Sequence, residues 1–397
     1  MSAKSLAYLL VLVVVLSSCK QYDNFTTLFN TYYNANRLLE ESEDEFEYQE
    51  EKKRVQPRSI VPEPELEPDK LSRSGVPPFL QGFIVSKAKR QPVNIKLDSV
   101  IIKGSKILSY HPKSDYVERT LFLMAKAYFY REEWLPSQIK CSELIDKYPA
   151  GDFSPDAHLL MSIDLLVQQK LQTGKTLLSR TVDIAWQKKR YDILSEAFRL
   201  DAELALYEDN LEEALKPYSQ AIAQADDNEY RAKWQVDLAM LLFRMRKFER
   251  AEKEFEKVFD YSPDYLAEFE AKLYRADCLI RLDRPYEAEK ILNRLDDDGK
   301  FDEWDAHIFA RRLQIERMKG NEESIVALEK KSDSLYSVNP AVASFLFERA
   351  LDKFRRHDYA GARIYFSKAR TVKTPIYNTA EKMFQLLNSW DKVKSRS

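Results

Sequence analysis

Small residues recur in pairs twelve positions apart along most of this 397-residue chain. The clearest pairs are Ala125 with Ser137, Ser162 with Gly174, Ala202 with Ala214, Ala239 with Ala251, Ala276 with Ala288 and Ala350 with Ala362. Successive pairs are spaced by about 37 residues, with one step of about 40 between Ser162 and Ala202. A weaker pair, Arg312 with Ser324, fills the remaining gap. Where antiparallel helices cross closely, Ala, Gly or Ser lets the backbones approach. Four positions after the second small residue comes a bulky one (Cys141, Leu178, Tyr218, Phe255, Leu292, Leu328, Phe366). Three later there is often another small or apolar residue (Leu144, Ala221, Val258, Leu295, Ala369), completing the i, i+4, i+7 face of a helix. Pro149 and Pro263 end their repeats, and Pro112 ends a partial unit holding Val100, Gly104 and Ile107. The pattern predicts an all-α solenoid of about seven helix-turn-helix units. A last helix with Ile376, Ala380, Met383, Phe384 and Leu387 on one face is expected to cap it.

Composition agrees with long helices, because only 8 glycines and 16 prolines punctuate the chain. Charged residues at 32% and apolar ones at 44% fill a core and leave solvated outer faces. Lys plus Arg number 62 against 64 Asp plus Glu, so no global field draws the chain to nucleic acid. Cys141 and Cys278 lie in repeats far apart, and are expected as free, buried thiols.

The stretch from Glu118 to Pro149, with Leu121, Met124, Ala125, Tyr128, Ser137 and Pro149, resembles the tetratricopeptide repeat (TPR), and Lys233 to Pro263 is nearly as good. The resemblance extends over residues 81 to 375; Arg312 at a small-residue position implies looser packing near 305 to 338. It implies a wall of first helices that binds peptides or protein segments. On that wall it assigns Lys126, Phe129 and Tyr130, then Glu203 and Tyr207, then Met240, Phe243 and Arg244, then Asp277 and Arg281 as a partner-binding groove.

The N-terminus carries an address. Lys4 precedes an apolar run from Leu6 to Leu16 that is too short to span a bilayer but suits a signal peptide. Leu16-Ser17-Ser18-Cys19 resembles a bacterial lipobox, which implies a signal peptide over residues 1–18 and diacylglycerol on Cys19. Lys20 after the cysteine implies outer-membrane sorting in a Gram-negative bacterium, with the solenoid expected on the periplasmic face. Residues 19–54 are then the lipidated cysteine and one helix from Tyr22 to about Arg54, with Phe25, Leu28, Phe29, Tyr32, Ala35, Leu38 and Leu39 as an apolar stripe. That stripe fits docking on a partner or packing on the first repeats. Its second half, with Glu40, Glu41, Glu43, Asp44, Glu45, Glu47, Glu50 and Glu51, reads as a solvated face. Residues 55–96, rich in proline from Pro57 to Pro92, are expected to form an extended tether. The solenoid then spans 97–375, and the capping helix and tail 376–397.

No chemistry is legible. Gly174-Lys175-Thr176 lacks the glycine of a phosphate loop, where Gln169 stands. His111, His158, His307 and His357 have no metal-ligand spacing; His111 reads as a turn residue and the others as helix-face residues. Acids such as Asp226, Asp227 and Asp296 to Asp298 fall at loops near helix starts. The chain is therefore expected to be a non-catalytic scaffold with protein partners, without cofactor, metal, nucleic acid or small-molecule substrate. With Tyr110-His111-Pro112-Lys113-Ser114 and Lys147-Tyr148-Pro149, it resembles BamD-like lipoproteins of outer-membrane protein assembly. Phe25 to Tyr33 is similar to the N-termini of larger repeat lipoproteins in secreting and gliding bacteria. An alternative is glycan capture, as in SusD-like lipoproteins, which also build on such helices.

Overall fold

The computed structural model describes residues 24, 31–50, 56–58, 76–320, 322–336, 339–374 and 376–394. The signal peptide, Cys19, Phe25, Leu28, Phe29 and most of the proline-rich stretch lie outside them. The described residues fall into two compact units, one within 1–54 and 71–207, the other within 55–70 and 208–397.

The first unit holds α1 (Tyr33–Glu50), short helical turns over Pro78–Phe83, Lys87–Arg90 and Gln91–Val93, and then α2 (Asn94–Tyr110), α3 (Val117–Tyr130), α4 (Trp134–Lys147), α5 (Ser154–Val167), α6 (Leu171–Lys188) and α7 (Tyr191–Tyr207). The second holds α8 (Leu211–Gln224), α9 (Asn228–Arg244), α10 (Phe248–Lys257), α11 (Tyr265–Arg281), α12 (Pro285–Asp296), α13 (Asp305–Lys319), α14 (Glu322–Leu335), α15 (Pro340–Arg355), α16 (Tyr359–Ala369) and α17 (Tyr377–Lys394). The described residues include no strand, and no described helix is long and apolar enough to cross a membrane.

Within each unit helices pack in pairs at the predicted crossings, α3 with α4, α5 with α6, α9 with α10, α11 with α12 and α15 with α16, while Ala202 and Ala214 fall in different units. Ala125, Ser137, Ser162, Ala202, Ala214, Ala239, Ala251, Ala276, Ala288, Ala350 and Ala362 are all fully buried. At Gly174 a Cβ would fall 2.7 Å from Leu166 Cδ2 of the partner helix, so that pair closes more tightly than Ala permits. The turn inside each pair is equally regular. Glu132, Gln169, Asp209, Arg246, Asp283, Gly320 and His357 all have positive φ. The left-handed region strains every one except Gly320. At five of these turns the carbonyls of Tyr128, Leu165, Leu242, Leu279 and Lys353 accept bonds from N–H groups five residues on, satisfying first-helix ends.

This turn sets the register of the irregular repeat. Counting back from Gly320 by the step that leads from Glu132 to Ala125 reaches Leu313, and the position twelve later is Ile325; both are 1% exposed. The expected Arg312 and Ser324 are thus one residue out of register. Arg312 points outward to Asp296 at 2.8 Å. With Leu and Ile at the crossing, α13 and α14 contact each other less extensively than the other complete pairs within a unit. The step of about 40 residues arises in α6, which outlasts the other second helices and ends at Lys189 with φ 56°. Second helices otherwise present their predicted core, and Cys141, Tyr218, Phe255, Leu292 and Phe366 are buried. Cys141 and Cys278 are free and buried. Asp227 and Asp264 cap α9 and α11, as expected of acids at helix starts. His357 occupies a left-handed turn rather than a helix face.

Two expectations for the N-terminal region change. Ala35, Leu39 and Phe46 of α1 pack with Val93, Leu97, Val100, Leu123 and Ala127 of the first repeats. The acidic half is only partly solvated, because Glu41 pairs with Lys96 at 2.9 Å and Glu43 with Lys126 at 2.5 Å. Residues 76–93 are no extended tether but compact turns, because Leu80 is fully buried and Val76, Phe79, Phe83 and Ile84 pack beside it. These five apolar side chains supply burial that a solvated polyproline segment lacks.

Gly174→Leu is expected to overpack the α5–α6 crossing and cost about 1–3 kcal/mol, seen as a lower urea midpoint at unchanged slope. Gly82→Ala, whose Cβ meets nothing within 4 Å, should leave the midpoint unchanged.

Candidate functional site

The first helices of the repeats carry the predicted groove residues, and most of these are already engaged within the chain. In the first unit α1 covers the end of α3. Glu43 accepts a hydrogen bond from the Tyr130 hydroxyl at 2.5 Å and pairs with Lys126 at the same distance. The Phe46 ring meets Tyr130 edge to face at 5.4 Å. Burial, and then Glu43, push the Tyr130 hydroxyl well above its ordinary range. Phe129 is buried in the cluster that holds Leu80 and lies edge-on to Trp134. Along α7, Phe79 packs on Tyr207 at 5.8 Å, and Arg199 lies over the Phe83 ring at 5.7 Å and 4.0 Å from Glu203. A cleft of about 1060 Å³ stays open here, walled by Phe46 and Glu47 of α1, residues 81–87, Lys126 of α3 and Leu159 of α5.

In the second unit the predicted set divides. Met240 and Phe243 are core residues, with the Phe243 ring edge-on to Phe248 and Tyr274. Arg244 ends α9, half-buried. Asp277 and Arg281 belong to a buried ion network. Asp277 lies 3.1 Å from Arg311 and 3.3 Å from Arg281, and Arg281 reaches Glu348 at 2.5 Å. Arg311, 4% exposed, stacks over the Tyr274 ring at 5.1 Å. The Arg311 guanidinium stays charged because Asp277 offsets the cost of burial.

Beside this network residues 56–58 lie on α9 and α11. Arg58 Nη1 reaches Asp237 at 2.6 Å and Nη2 reaches Glu270 at 2.6 Å. The Arg58 backbone N–H donates to Glu270 at 2.7 Å, and the Tyr274 hydroxyl donates to the Arg58 carbonyl at 2.6 Å.

Asp237, Glu270, Tyr274, Arg311 and Glu348 were not among the predicted groove residues. A signal for four of them exists. Asp237, Tyr274, Arg311 and Glu348 each stand two residues before the crossing position of their first helix, where Leu123, Leu160 and Leu200 stand in the first unit. Only a repeat alignment in the correct register shows it.

Among the described residues no three His, Cys, Asp or Glu side chains are grouped to hold a metal. Burial pushes the Asp164 carboxyl up to about 8, and burial together with Asp164 pushes the nearby Cys141 thiol well up. Burial, with Arg311 nearby, pulls His307 down to about 3.

Residues 242–306 match a family model described as a tetratricopeptide repeat. A tetratricopeptide repeat protein from Parabacteroides merdae is similar in structure, with a TM-score of 0.46 at 16% identity over 68% of this chain and 98% of that one. The apo quorum sensor NprR from B. thuringiensis gives 0.41 at 9% identity over 77% and 83%. A Rap protein complexed with Competence and Sporulation Factor gives 0.36 at 15% over 61% and 72%. No curated protein matches the sequence. With the helix pairs described above, the family match makes the fold an all-α, tetratricopeptide-like solenoid.

Asp277→Ala is expected to strand the Arg311 charge and cost about 3–5 kcal/mol in urea unfolding, whereas Arg312→Ala at the exposed Asp296 pair should cost under about 1 kcal/mol. Asp164 keeps its proton in the folded state up to about pH 8 but loses it near 4 when unfolded, so stability falls as pH rises through that window. His307 titrates only below about 6.5 in either state and is silent above it. Between pH 6.5 and 8.5 Asp164 is therefore expected to remove about 2 kcal/mol, and Asp164→Asn to abolish that part of the slope.

Proposed function

We propose that this chain is a lipid-anchored, non-catalytic repeat scaffold that binds protein segments at the outer membrane, in the assembly or secretion of outer-membrane proteins. One observation carries the binding half of this reading: in each unit an N-terminal segment of the chain already lies on the first helices and is met there by their polar and aromatic side chains. In the first unit α1 and residues 76–84 occupy that position, on Tyr130, Lys126 and Tyr207. In the second it is residues 56–58, on Glu270 and Tyr274. A wall that grips its own chain through aromatic, Lys and carboxylate side chains has the chemistry to grip another. The match of residues 242–306 to a tetratricopeptide repeat supports the same reading.

The membrane half rests on Leu16-Ser17-Ser18-Cys19. Several acyl chains on Cys19, at about 0.8 kcal/mol per buried methylene, make attachment stable where one myristoyl chain is marginal. Cys19→Ala is expected to move the protein from the membrane to the soluble fraction and to abolish labelled-palmitate uptake. Crosslinking in intact cells should capture outer-membrane proteins with the wild type and lose them with Cys19→Ala. Unchanged fractionation and palmitate labelling would sink the anchor, and crosslinks confined to this chain would sink the scaffold.

A further inference from the structure

The second unit holds a pocket built for a guanidinium on an extended backbone. We infer that Asp237, Glu270 and Tyr274 form an arginine-reading peptide site, which Pro57-Arg58 fills in cis and which an extended Pro-Arg segment of a partner takes by displacing it. The inference rests on the proposed scaffold role and names the chemistry of its partner.

Three features carry it. The first is that side chain and main chain of one residue are read together. Glu270 Oε1 accepts from the Arg58 backbone N–H at 2.7 Å and from Nε at 3.1 Å, while Oε2 accepts from Nε at 3.0 Å and from Nη2 at 2.6 Å. Asp237 takes Nη1 at 2.6 Å, and the Tyr274 hydroxyl donates to the carbonyl. Elsewhere in the repeats a side chain meets a single main-chain group, as Glu118 does at the Phe153 N–H at 2.8 Å, whereas Arg58 has its N–H, its carbonyl and its guanidinium all met. Two carboxylates embracing the fork select Arg over Lys, whose single ammonium cannot meet both.

The second feature is the state of the pocket without its occupant. The Glu270 side chain is 1% exposed, and among the described residues it has no cation other than Arg58. A buried carboxylate without a partner is costly, so the site favours exchange of one arginine for another over simple release. Asp237 and Glu270 face a single guanidinium, which leaves the pocket with a negative balance that draws basic segments.

The third is the form of the occupant. Pro57 is buried and fixes the chain ahead of Arg58 in an extended course, and Gln56 before it is exposed. The Arg58 side chain remains 42% exposed, so an incoming segment reaches the guanidinium edge before the cis segment has left.

The test uses the full chain and a fluorescent peptide of residues 54–61, Arg-Val-Gln-Pro-Arg-Ser-Ile-Val. Removing the cis competitor with Arg58→Ala is expected to tighten peptide binding by about tenfold or more, because an attached occupant competes at an effective concentration near millimolar. Changing Arg58 of the peptide to Lys should weaken binding to the Arg58→Ala chain by about tenfold. Adding Glu270→Gln to that chain should abolish it, with circular dichroism confirming the fold. On the wild-type chain, which needs no variant to fold, excess unlabelled peptide should accelerate hydrogen exchange at Arg58, and the same peptide with Ala at that position should not. Equal binding to wild-type and Arg58→Ala chains, or exchange at Arg58 indifferent to the peptide, overturns the proposal. Such a failure leaves crosslinked partner capture by the anchored chain untouched, so the scaffold reading stands or falls separately.

Discussion

Close approach of two helices at a small residue, followed by a left-handed turn, is the constraint from which the rest of each unit follows. Ala or Gly at the crossing brings the second helix near enough for its i+4 residue, such as Phe255 or Leu292, to seal the pair. The turn must then reverse the chain in very few residues, and a positive φ at one of them does this. Six of the seven turn positions bear a side chain and accept the strain, so the packing that each reversal permits outweighs it. Where the crossing widens to Leu313 and Ile325, the turn residue is Gly320.

Pairing of this kind leaves part of each first helix without a helical partner, and α1, residues 56–58 and residues 76–84 lie there. The contacts are of two chemical sorts. In the first unit Leu80, Phe79 and Phe83 extend an apolar cluster, with Glu43 supplying a polar edge at Lys126 and Tyr130. In the second the lining is ionic, from Asp237 through Arg311 to Glu348, and each buried charge is tied to an opposite one. Apolar faces accept many occupants of similar volume; buried carboxylates accept only a cation of matching geometry.

How far this was legible in the sequence differs by residue. The crossings at Ala125, Gly174 and Ala276 were read directly, since a small residue in a helix otherwise rich in large ones has few other causes. Leu313 and Ile325 escaped because large residues at a crossing look like ordinary core, and the pattern slid by one to Arg312 and Ser324. The groove assignment picked the right helices but mixed core with lining: Met240 and Phe243 face the repeat interior, while Asp237 and Glu348 were passed over. Neighbouring positions on a helix differ by about 100° of rotation, so a set of positions carried over from another repeat family lands on the wrong side when the helices rotate slightly. The proline-rich stretch misled for another reason. Its prolines describe local stiffness, whereas Leu80 and Pro57 are buried by distant partners.

By itself the sequence determined the all-α class, most of the helix pairs and the buried thiols, because these follow from periodicities that a helix imposes on its own residues. Only the tertiary structure decided where the N-terminal segments rest and which charges meet. Arg58 lies more than two hundred positions from Glu270 along the chain. No local pattern records such a pairing, because the energy that selects it, neutralising a carboxylate already buried by the repeats, exists only once the repeats have folded.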